Sequence, residues 1–422
     1  MTRALLAAAA LGVAACAPGP VIEPADPPLD AGGAPSQDAA LAADPATGAI
    51  LLAWVGGDSA GYRVHATRTA DLRSWAPAVV VTPDAHDVHP HAEASPRWGA
   101  APGVLGLAWV RQVPAPGRRF PASVVRFARS TDGGATWSEP VTLNDDTTTG
   151  LASHTFHGAA WMGDSSLVVA WLEQRPGPLA PAVGSELDGA GHDDSAHAEG
   201  RSNVWLARSD DAGRTWRANR GLWGSACPCC RVSLARRPDG GAVAGWRQHF
   251  PGSVRDVVVA DLVGEDAVPR PARIAPDGWV YPGCPHTGPG LAVDARGVLH
   301  VAWFTGPEGG AGVRYARREP DGRVTATRAL LSARRLPAAH PAVAVWPDGR
   351  ALVAWDVTGR GRSRLELALI GVDGSVAWRR TVRGTDGADH PSVAVGSDGM
   401  AAVAWTERRG GTSRVRVVRV TP

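Results

Sequence analysis

The amino-acid sequence predicts an all-β protein, a single β-propeller of four-stranded antiparallel blades, with seven blades favoured and six as the alternative. One apolar phrase recurs along the 422-residue chain: residues 340–355 and 390–405 match closely, and residues 290–303 carry the same pattern. Turn signals separate the apolar runs, and no stretch shows a sustained helical period. Self-similarity at intervals of about 50 residues is typical of propeller blades.

Each repeat reads as a hairpin whose second strand ends in Trp. The seven Trp residues are Trp54, Trp109, Trp171, Trp246, Trp303, Trp355 and Trp405. Asp-Gly at 348–349 and at 398–399 favours a tight hairpin turn, because both central residues of such a turn need positive φ. A third and a fourth strand follow, as at residues 123–129 and 140–143. Four short strands per repeat complete a propeller blade.

The seventh repeat ends at residue 420 of 422, without room for a fourth strand. A three-stranded last blade would leave an open edge, which β proteins avoid. We therefore expect an N-terminal strand around Val21 and Ile22 to supply the missing strand and close the ring.

The first residues have the features of an export signal. Arg3 precedes an apolar run at 4–13 that is too short to span a bilayer. Residues 13–16 resemble the bacterial lipobox, whose cysteine, here Cys16, becomes the lipidated first residue. The predicted organisation is a lipoprotein signal peptide at 1–15, a flexible lipid-anchored tether at 16–36 and the propeller at 37–422. The implied location is the cell envelope, at the outer membrane or periplasmic face, with the membrane as partner through Cys16.

The charge balance excludes one class of partner. Lys and Arg number 43 against 41 for Asp and Glu, a formal net charge of +2. A chain this close to neutral has no field of one sign to attract a polyanion, so we expect no nucleic-acid partner.

Two segments fit the pattern Ser-x-Asp-x-Gly-x-Thr-Trp between a third and a fourth strand. Their residues are Ser130, Asp132, Gly134 and Trp137 in the first, and Ser209, Asp211, Gly213 and Trp216 in the second. Asp can hold a tight turn through backbone amides, Gly allows positive φ, and Trp packs between strands. The pattern resembles the Asp box (BNR repeat) of the sialidase superfamily. The resemblance implies a sialidase-like propeller with peripheral boxes, and it bears on fold more than on function.

Many His and Cys residues precede the first strand of a repeat. In a sialidase-like propeller that strand lines the central channel, so the resemblance implies that these residues converge on one rim. Thiolates and imidazoles are suited to copper or zinc. The predicted metal ligands are Cys229, Cys230, Cys284, His286, His89, His157, His340 and His390. The Cys-x-Cys-Cys motif at 227–230, together with Cys284-Pro-His286, resembles motifs of uncharacterised sialidase-like bacterial proteins. This resemblance implies no established role for the cysteines.

The cysteines allow other interpretations. An exported protein meets an oxidising compartment, where an even number of cysteines favours disulfides. Cys227, Cys229, Cys230 and Cys284 could form two disulfides without any metal, or a mixture of disulfide and metal ligation. Adjacent Cys229 and Cys230 cannot easily bond each other without strain.

The alternative function is a glycoside hydrolase of the exo-α-sialidase type acting on glycans. Sialidases hold a substrate carboxylate with three arginines and use a Tyr nucleophile. Their Arg-Ile-Pro motif is missing near the start of the repeats, so no catalytic residue is carried over and the catalytic residues are unknown. Whether the chain is a glycosidase, a metal-dependent enzyme or a binding protein stays open. The expected rim ligand is a metal ion, a glycan or a protein, and no cofactor other than copper or zinc is implied.

Overall fold

Seven four-stranded antiparallel sheets form a ring, so the protein is a seven-bladed β-propeller. The computed structural model describes residues 20–29, 34–114, 121–146, 152–175, 202–264, 270–308, 310–332, 339–359 and 362–421. The predicted signal peptide and Cys16 lie outside these residues. The fold class and the favoured blade number are confirmed.

The first four blades take their strands in chain order, with the first strand innermost. Their strands are β2 (Ser36–Ala43), β3 (Ile50–Asp58), β4 (Gly61–Thr69) and β5 (Val79–Val80) in blade one; β6 (Arg97–Ala101), β7 (Val104–Val113), β8 (Ala122–Ser130) and β9 (Val141–Thr142) in blade two; β10 (Thr155–Met162), β11 (Ser166–Glu173), β12 (Ser202–Ser209) and β13 (Arg220–Ala226) in blade three; and β14 (Ser233–Arg236), β15 (Ala242–Arg247), β16 (Val257–Leu262) and β17 (Ala272–Arg273) in blade four.

The remaining blades follow the same plan until the last, which combines both ends of the chain. Their strands are β18 (Gly290–Val293), β19 (Leu299–Thr305), β20 (Gly312–Arg318) and β21 (Val324–Ala329) in blade five; β22 (Ala342–Val345), β23 (Ala351–Gly359), β24 (Arg362–Ile370) and β25 (Val376–Thr381) in blade six; and β26 (Ala388–Val395), β27 (Ala401–Arg409), β28 (Thr412–Thr421) and β1 (Val21–Ala25) in blade seven. Helical structure in the described residues is limited to 3-10 turns at Ala92–Ala94 and Pro251–Ser253. None of their helices is long and apolar enough to cross a bilayer.

The closing strand is the one expected from the incomplete seventh repeat. β1 pairs antiparallel with β28, from Val21 opposite Thr421 to Ala25 opposite Val417. The strand lies inside the segment 16–36, so the propeller begins at Val21. This pairing gives blade seven its fourth strand and removes the open edge of β28.

The repeated Trp residues form the core between blades. Six of them are fully buried and Trp405 is 4% exposed. The residue before each Trp pairs with a small residue of the first strand in six of the blades, as Ala170 does with Gly158. A Cβ on Gly158 would lie 2.6 Å from Val232 O of the next blade. Gly158 must therefore be small where its strand meets the next blade near the axis, and five other blades also have a small residue at this position.

The Asp boxes have the predicted turn chemistry. Asp132 accepts hydrogen bonds from Thr136 N at 2.9 Å and from Thr136 Oγ1 at 2.6 Å, and Gly134 N donates to Ser130 Oγ at 2.8 Å. Asp211 makes the same pair of contacts with Thr215, at 2.8 and 2.7 Å. Trp216 packs edge-on against Phe127 of the preceding blade, with ring centroids 5.0 Å apart. The boxes therefore tie a turn to the neighbouring blade.

Candidate metal centre at the axial rim

The strand register defines one equivalent position per blade at the mouth of the channel. In each blade, the residue directly before the core Trp pairs with one residue of the first strand. The equivalent position lies two residues before that partner in the chain. We call these seven residues the axial ring: Asp38, Ser95, Phe156, Arg231, Gly288, His340 and His390. Asp38, Phe156 and His390 have positive φ, beside register shifts at the start of their strands. The local kink turns these residues out of the ladder.

Glu93 joins the axial ring from the segment before blade two. Arg231 Nη1 donates to Glu93 Oε2 at 2.6 Å, and Gly288 N donates to the other carboxylate oxygen. Arg231 Nη2 donates to Pro341 O at 2.9 Å. Burial would raise the pKa of Glu93, but the Arg231 guanidinium, His390, His340 and the Gly288 amide together outweigh it and hold that pKa at about 2. One buried ion pair therefore links blades two, four, five and six.

His340 and His390 stack on each other beside Glu93, with ring centroids 3.4 Å apart. Asp356 binds His340 Nδ1 at 2.9 Å, and Asp389 binds His390 Nδ1. Burial lowers the pKa of His340, but Asp356 outweighs it and raises that pKa to about 9, whereas burial and the charge of His340 lower the pKa of His390. A cationic imidazole thus lies against a neutral one, which permits the stack.

A polar cavity of about 580 Å³ opens beside this histidine stack, between blades six and seven. Its lining residues are His340, Asp356, Thr358, Ser363, Asp386, Gly387, Asp389, Arg408, Arg409 and Gly410. The lining offers both hydrogen-bond donors and acceptors to a polar ligand.

Four cysteines and one histidine meet on the other side of the ring, and we call them the thiol cluster: Cys227, Cys229, Cys230, Cys284 and His286. The first three lie in the loop between β13 and β14, and the last two in the connection between β17 and β18. Cys227 Sγ is 3.7 Å from Cys229 Sγ and 3.3 Å from Cys230 Sγ. Cys229 also lies within 4.8 Å of Cys284 and His286. The three loop cysteines are buried, whereas Cys284 and His286 are exposed.

Two buried arginines flank the thiol cluster. Arg247 donates to Arg255 O, Thr287 O and Phe304 O, at 2.7 to 3.2 Å. Neither Arg247 nor Arg255 forms an ion pair with a carboxylate among the described residues. A hydrogen bond from Cys229 lowers the pKa of Cys227, and the same bond raises the pKa of Cys229. The thiolate form is therefore favoured at Cys227, next to positive charge that no carboxylate of the described residues compensates, whereas burial raises the pKa of Cys230.

Six of the eight predicted ligands fall into two groups, and the other two lie outside both groups. Cys229, Cys230, Cys284 and His286 join the thiol cluster, while His340 and His390 form the stack. His157 is buried, and its Nε2 is hydrogen-bonded to Ala108 O at 2.9 Å. His89 is partly buried outside both groups, and burial lowers its pKa. The rim thus holds two different constellations, one rich in sulfur and one rich in carboxylate.

Sequence reasoning missed several residues of this rim. Cys227 was expected only as a disulfide partner, and Glu93, Asp356 and Asp389 were not predicted. Asp389 directly precedes the repeated His-Pro, and Asp356 directly follows Trp355, so both stand beside a repeat signal. Glu93 stands in a histidine-rich segment and had no such signal.

The arginines near this rim do not form an open clamp. Arg231 is committed to Glu93, and Arg97 is half-buried near Arg231 and Asp38. Burial raises the pKa of Asp38 to about 7, against the opposing effect of Arg408. The bidentate carboxylate binding of a sialidase needs guanidinium groups that face a ligand.

A third group of possible ligands, Asp146, His154 and Glu173, lies between blades two and three. His154 Nε2 is 3.0 Å from Asp146 and 3.1 Å from Glu173, and its Nδ1 donates to Ser123 O at 2.7 Å. Burial lowers the pKa of His154, but the two carboxylates outweigh it and raise that pKa to about 9. Both ring nitrogens are thus used, and the group is a buried ion-pair network.

No protein-family model matches the chain, and no curated protein is similar to it. Among solved structures it is similar to a protein of unknown function from Dyadobacter fermentans, with a TM-score of 0.51 and 12% identity over 92% of this chain and 94% of that chain. It is also similar to a Hadza microbial sialidase, with TM-score 0.46, 14% identity and coverage of 91% and 65%. A leech intramolecular trans-sialidase gives TM-score 0.48, 11% identity and coverage of 88% and 83%. At these identities the likeness concerns the propeller fold alone.

Replacing Glu93 by Gln should lower the free energy of unfolding by about 3 to 5 kcal/mol, because Arg231 would stay buried without its counter-charge. Removing both charges, with Glu93→Gln and Arg231→Met together, should lower it less than the single change. Urea unfolding of the native protein, the single variant and the double variant measures both losses of unfolding free energy. A double variant that is the least stable of the three would contradict the ion pair as the cause.

The His154 network should make the protein less stable as the pH rises above neutrality. The folded pKa of about 9 exceeds the ordinary value of 6.5, so the stabilisation is complete below about pH 6.5 and is lost as the pH passes 9, by on the order of 3 kcal/mol. Urea midpoints between pH 6 and 10 test this. His154→Gln should remove the dependence, and the exposed control His86→Gln should keep it; an unchanged slope in His154→Gln would refute the assignment.

Proposed function

We propose that this protein binds a thiophilic metal ion, copper(I) or zinc, at the thiol cluster on one rim of the propeller. The single observation that carries the proposal is the convergence of three buried cysteine sulfurs with an exposed cysteine and histidine. Free cysteine is common in protein cores as a single small apolar residue. Five soft or borderline donors from two loops at one point form a ligand set of the kind that copper and zinc require.

The charge around the thiol cluster supports the same proposal. Metal binding requires deprotonated cysteine, and thiolates in a buried position need compensating positive charge. Arg247 and Arg255 supply it, since both contribute to lowering the pKa of Cys227.

Disulfide formation is the competing interpretation. The sulfur separations of 3.3 and 3.7 Å are those of neighbouring thiols, longer than the bond of about 2.05 Å in a disulfide. Oxidation of any pair would remove two of the donors. The redox state of the cysteines in the purified protein therefore discriminates between the two interpretations.

Glycan binding is the second candidate function, and the polar cavity beside the histidine stack favours it. Hydroxyl, carboxylate and guanidinium groups line this cavity, and such groups can bind sugar hydroxyls. The exo-α-sialidase form of this candidate has less support, because Arg231 is already engaged by Glu93. The metal proposal precedes it because the thiol cluster offers a more specific set of donors.

The protein purified under argon should contain stoichiometric copper or zinc, and its loop cysteines should resist thiol reagents until the metal is removed. Cys230→Ser should reduce the metal content, and His89→Ala, a histidine of the same rim outside the cluster, should leave it unchanged. Elemental analysis and thiol titration measure these outcomes. A protein without metal and without free thiols would overturn the proposal in favour of disulfides, and hydrolysis of a sialoside by that protein would bring the glycan candidate forward.

We also propose that the chain is exported and held in the cell envelope by a lipid on Cys16. The support is the charged and apolar start of the sequence with its lipobox-like ending.

Cys16→Ala should release most of the protein from the membrane fraction without changing its fold. Fractionation together with labelling by a radioactive fatty acid tests this, and a variant that stays in the membrane with full labelling would refute it.

A further inference from the structure

We infer that the thiol cluster is a binuclear copper(I) site in which the thiolate of Cys229 bridges two ions, and that copper is exchanged at the exposed ion. This inference rests on the proposed function and specifies the metal, its stoichiometry and the direction of exchange. The inner ion takes Cys227, Cys229 and Cys230, and the outer ion takes Cys229, Cys284 and His286.

The arrangement of donors is the first support. The ligand atoms of Cys227, Cys229 and Cys230 all lie within 4.8 Å of one another, and so do those of Cys229, Cys284 and His286. The two triads share Cys229 alone. Two triangles that meet at one corner place one ion in each triangle, and the shared sulfur has lone pairs for both ions.

The number of donors in each triad favours copper(I). Structural zinc sites are almost always tetrahedral with four protein ligands, whereas each triad offers three. Soft thiolates select copper(I), and an ion of single charge is stable with two or three such ligands. The inner triad is made of sulfur only, which suits the softer ion.

Charge also permits the second ion. Three thiolates and one copper(I) ion carry two negative charges in excess, and Arg247 and Arg255 balance them. The Cys284 thiolate, a neutral His286 and a second copper(I) ion together add no net charge. The outer ion therefore needs no further counter-charge from the protein.

The two ions differ in access to solvent. Cys227 is 0% exposed and Cys230 is 1% exposed, so the inner ion has no direct route from solution. Cys284 and His286 are exposed and can take copper from a soluble donor. Transfer inward breaks the bonds to Cys284 and His286 while bonds to Cys227 and Cys230 form, with Cys229 bound throughout. The thiol protons leave to water, and the copper stays in the +1 state.

Anaerobic titration of the full chain with copper(I) buffered by a chromophoric chelator tests the inference. The native protein should bind two ions, and the chelator should withdraw one of them much faster than the other. Cys230→Ser should weaken binding of the inner ion, and His286→Ala should weaken binding of the outer ion. Each affinity should fall by about 100-fold or more, because loss of a ligand exceeds the 10- to 100-fold effect of an outer-shell change. Cys229→Ser should weaken both, and His89→Ala should keep two ions.

The outcomes separate this inference from the function on which it rests. One ion that needs both Cys230 and Cys284 would show a mononuclear site, so the binuclear inference would be wrong and the proposed function would stand. No bound copper(I) in a folded native protein with free thiols would overturn the inference, and failure of the same protein to bind zinc in a parallel titration would overturn the proposed function as well. Because Cys284 and His286 are exposed, Cys284→Ser and His286→Ala should fold, and circular dichroism verifies this.

Discussion

The buried ion pair of Glu93 and Arg231 is the interaction on which the rim depends. Seven first strands converge at the axis, and small residues let their backbones approach. At the mouth of the channel, the Glu93 carboxylate accepts hydrogen bonds from the Arg231 guanidinium and from the Gly288 amide, which belong to different blades. Burying two charges is favourable only when each satisfies the other. The pair therefore fixes the positions of Pro341 and Gly288, and with them the loops that carry the histidine stack and the thiol cluster.

Much of the fold could be predicted from particular residues. The Trp that ends each second strand revealed the seven repeats, because a large aromatic residue is needed between neighbouring sheets. The short last repeat revealed the closing strand at Val21–Ala25, because a sheet edge must be paired. The Asp boxes identified two turns, whose hydrogen bonds are the expected ones. These features depend on local chemistry and on a count of strands, both of which can be read from the chain.

The candidate site could be predicted only in part. The repeat predicted that cysteines and histidines distant in sequence would lie near one rim, and the structure brings Cys229 close to Cys284 and His286, and His340 close to His390. It did not show that they would separate into two groups, because that depends on the side-chain direction within each loop. Positive φ at His286 and His390 turns these residues in ways that periodicity does not encode. Glu93 went unnoticed for the same reason: its importance comes from burial at the axis, and its sequence neighbours do not reveal that.

The position of the closing strand determines how the molecule can be oriented. β1 is the outermost strand of blade seven, so the chain approaches the propeller at its circumference and far from the axis. Four residues lie between Cys16 and Val21, and these five residue steps span at most about 17 Å in a fully extended chain. With a lipid on Cys16, the disc would hang by one blade close to the bilayer. Such a link would attach at the outer edge of blade seven, so both mouths of the channel, which lie at the axis, would be away from the point of attachment.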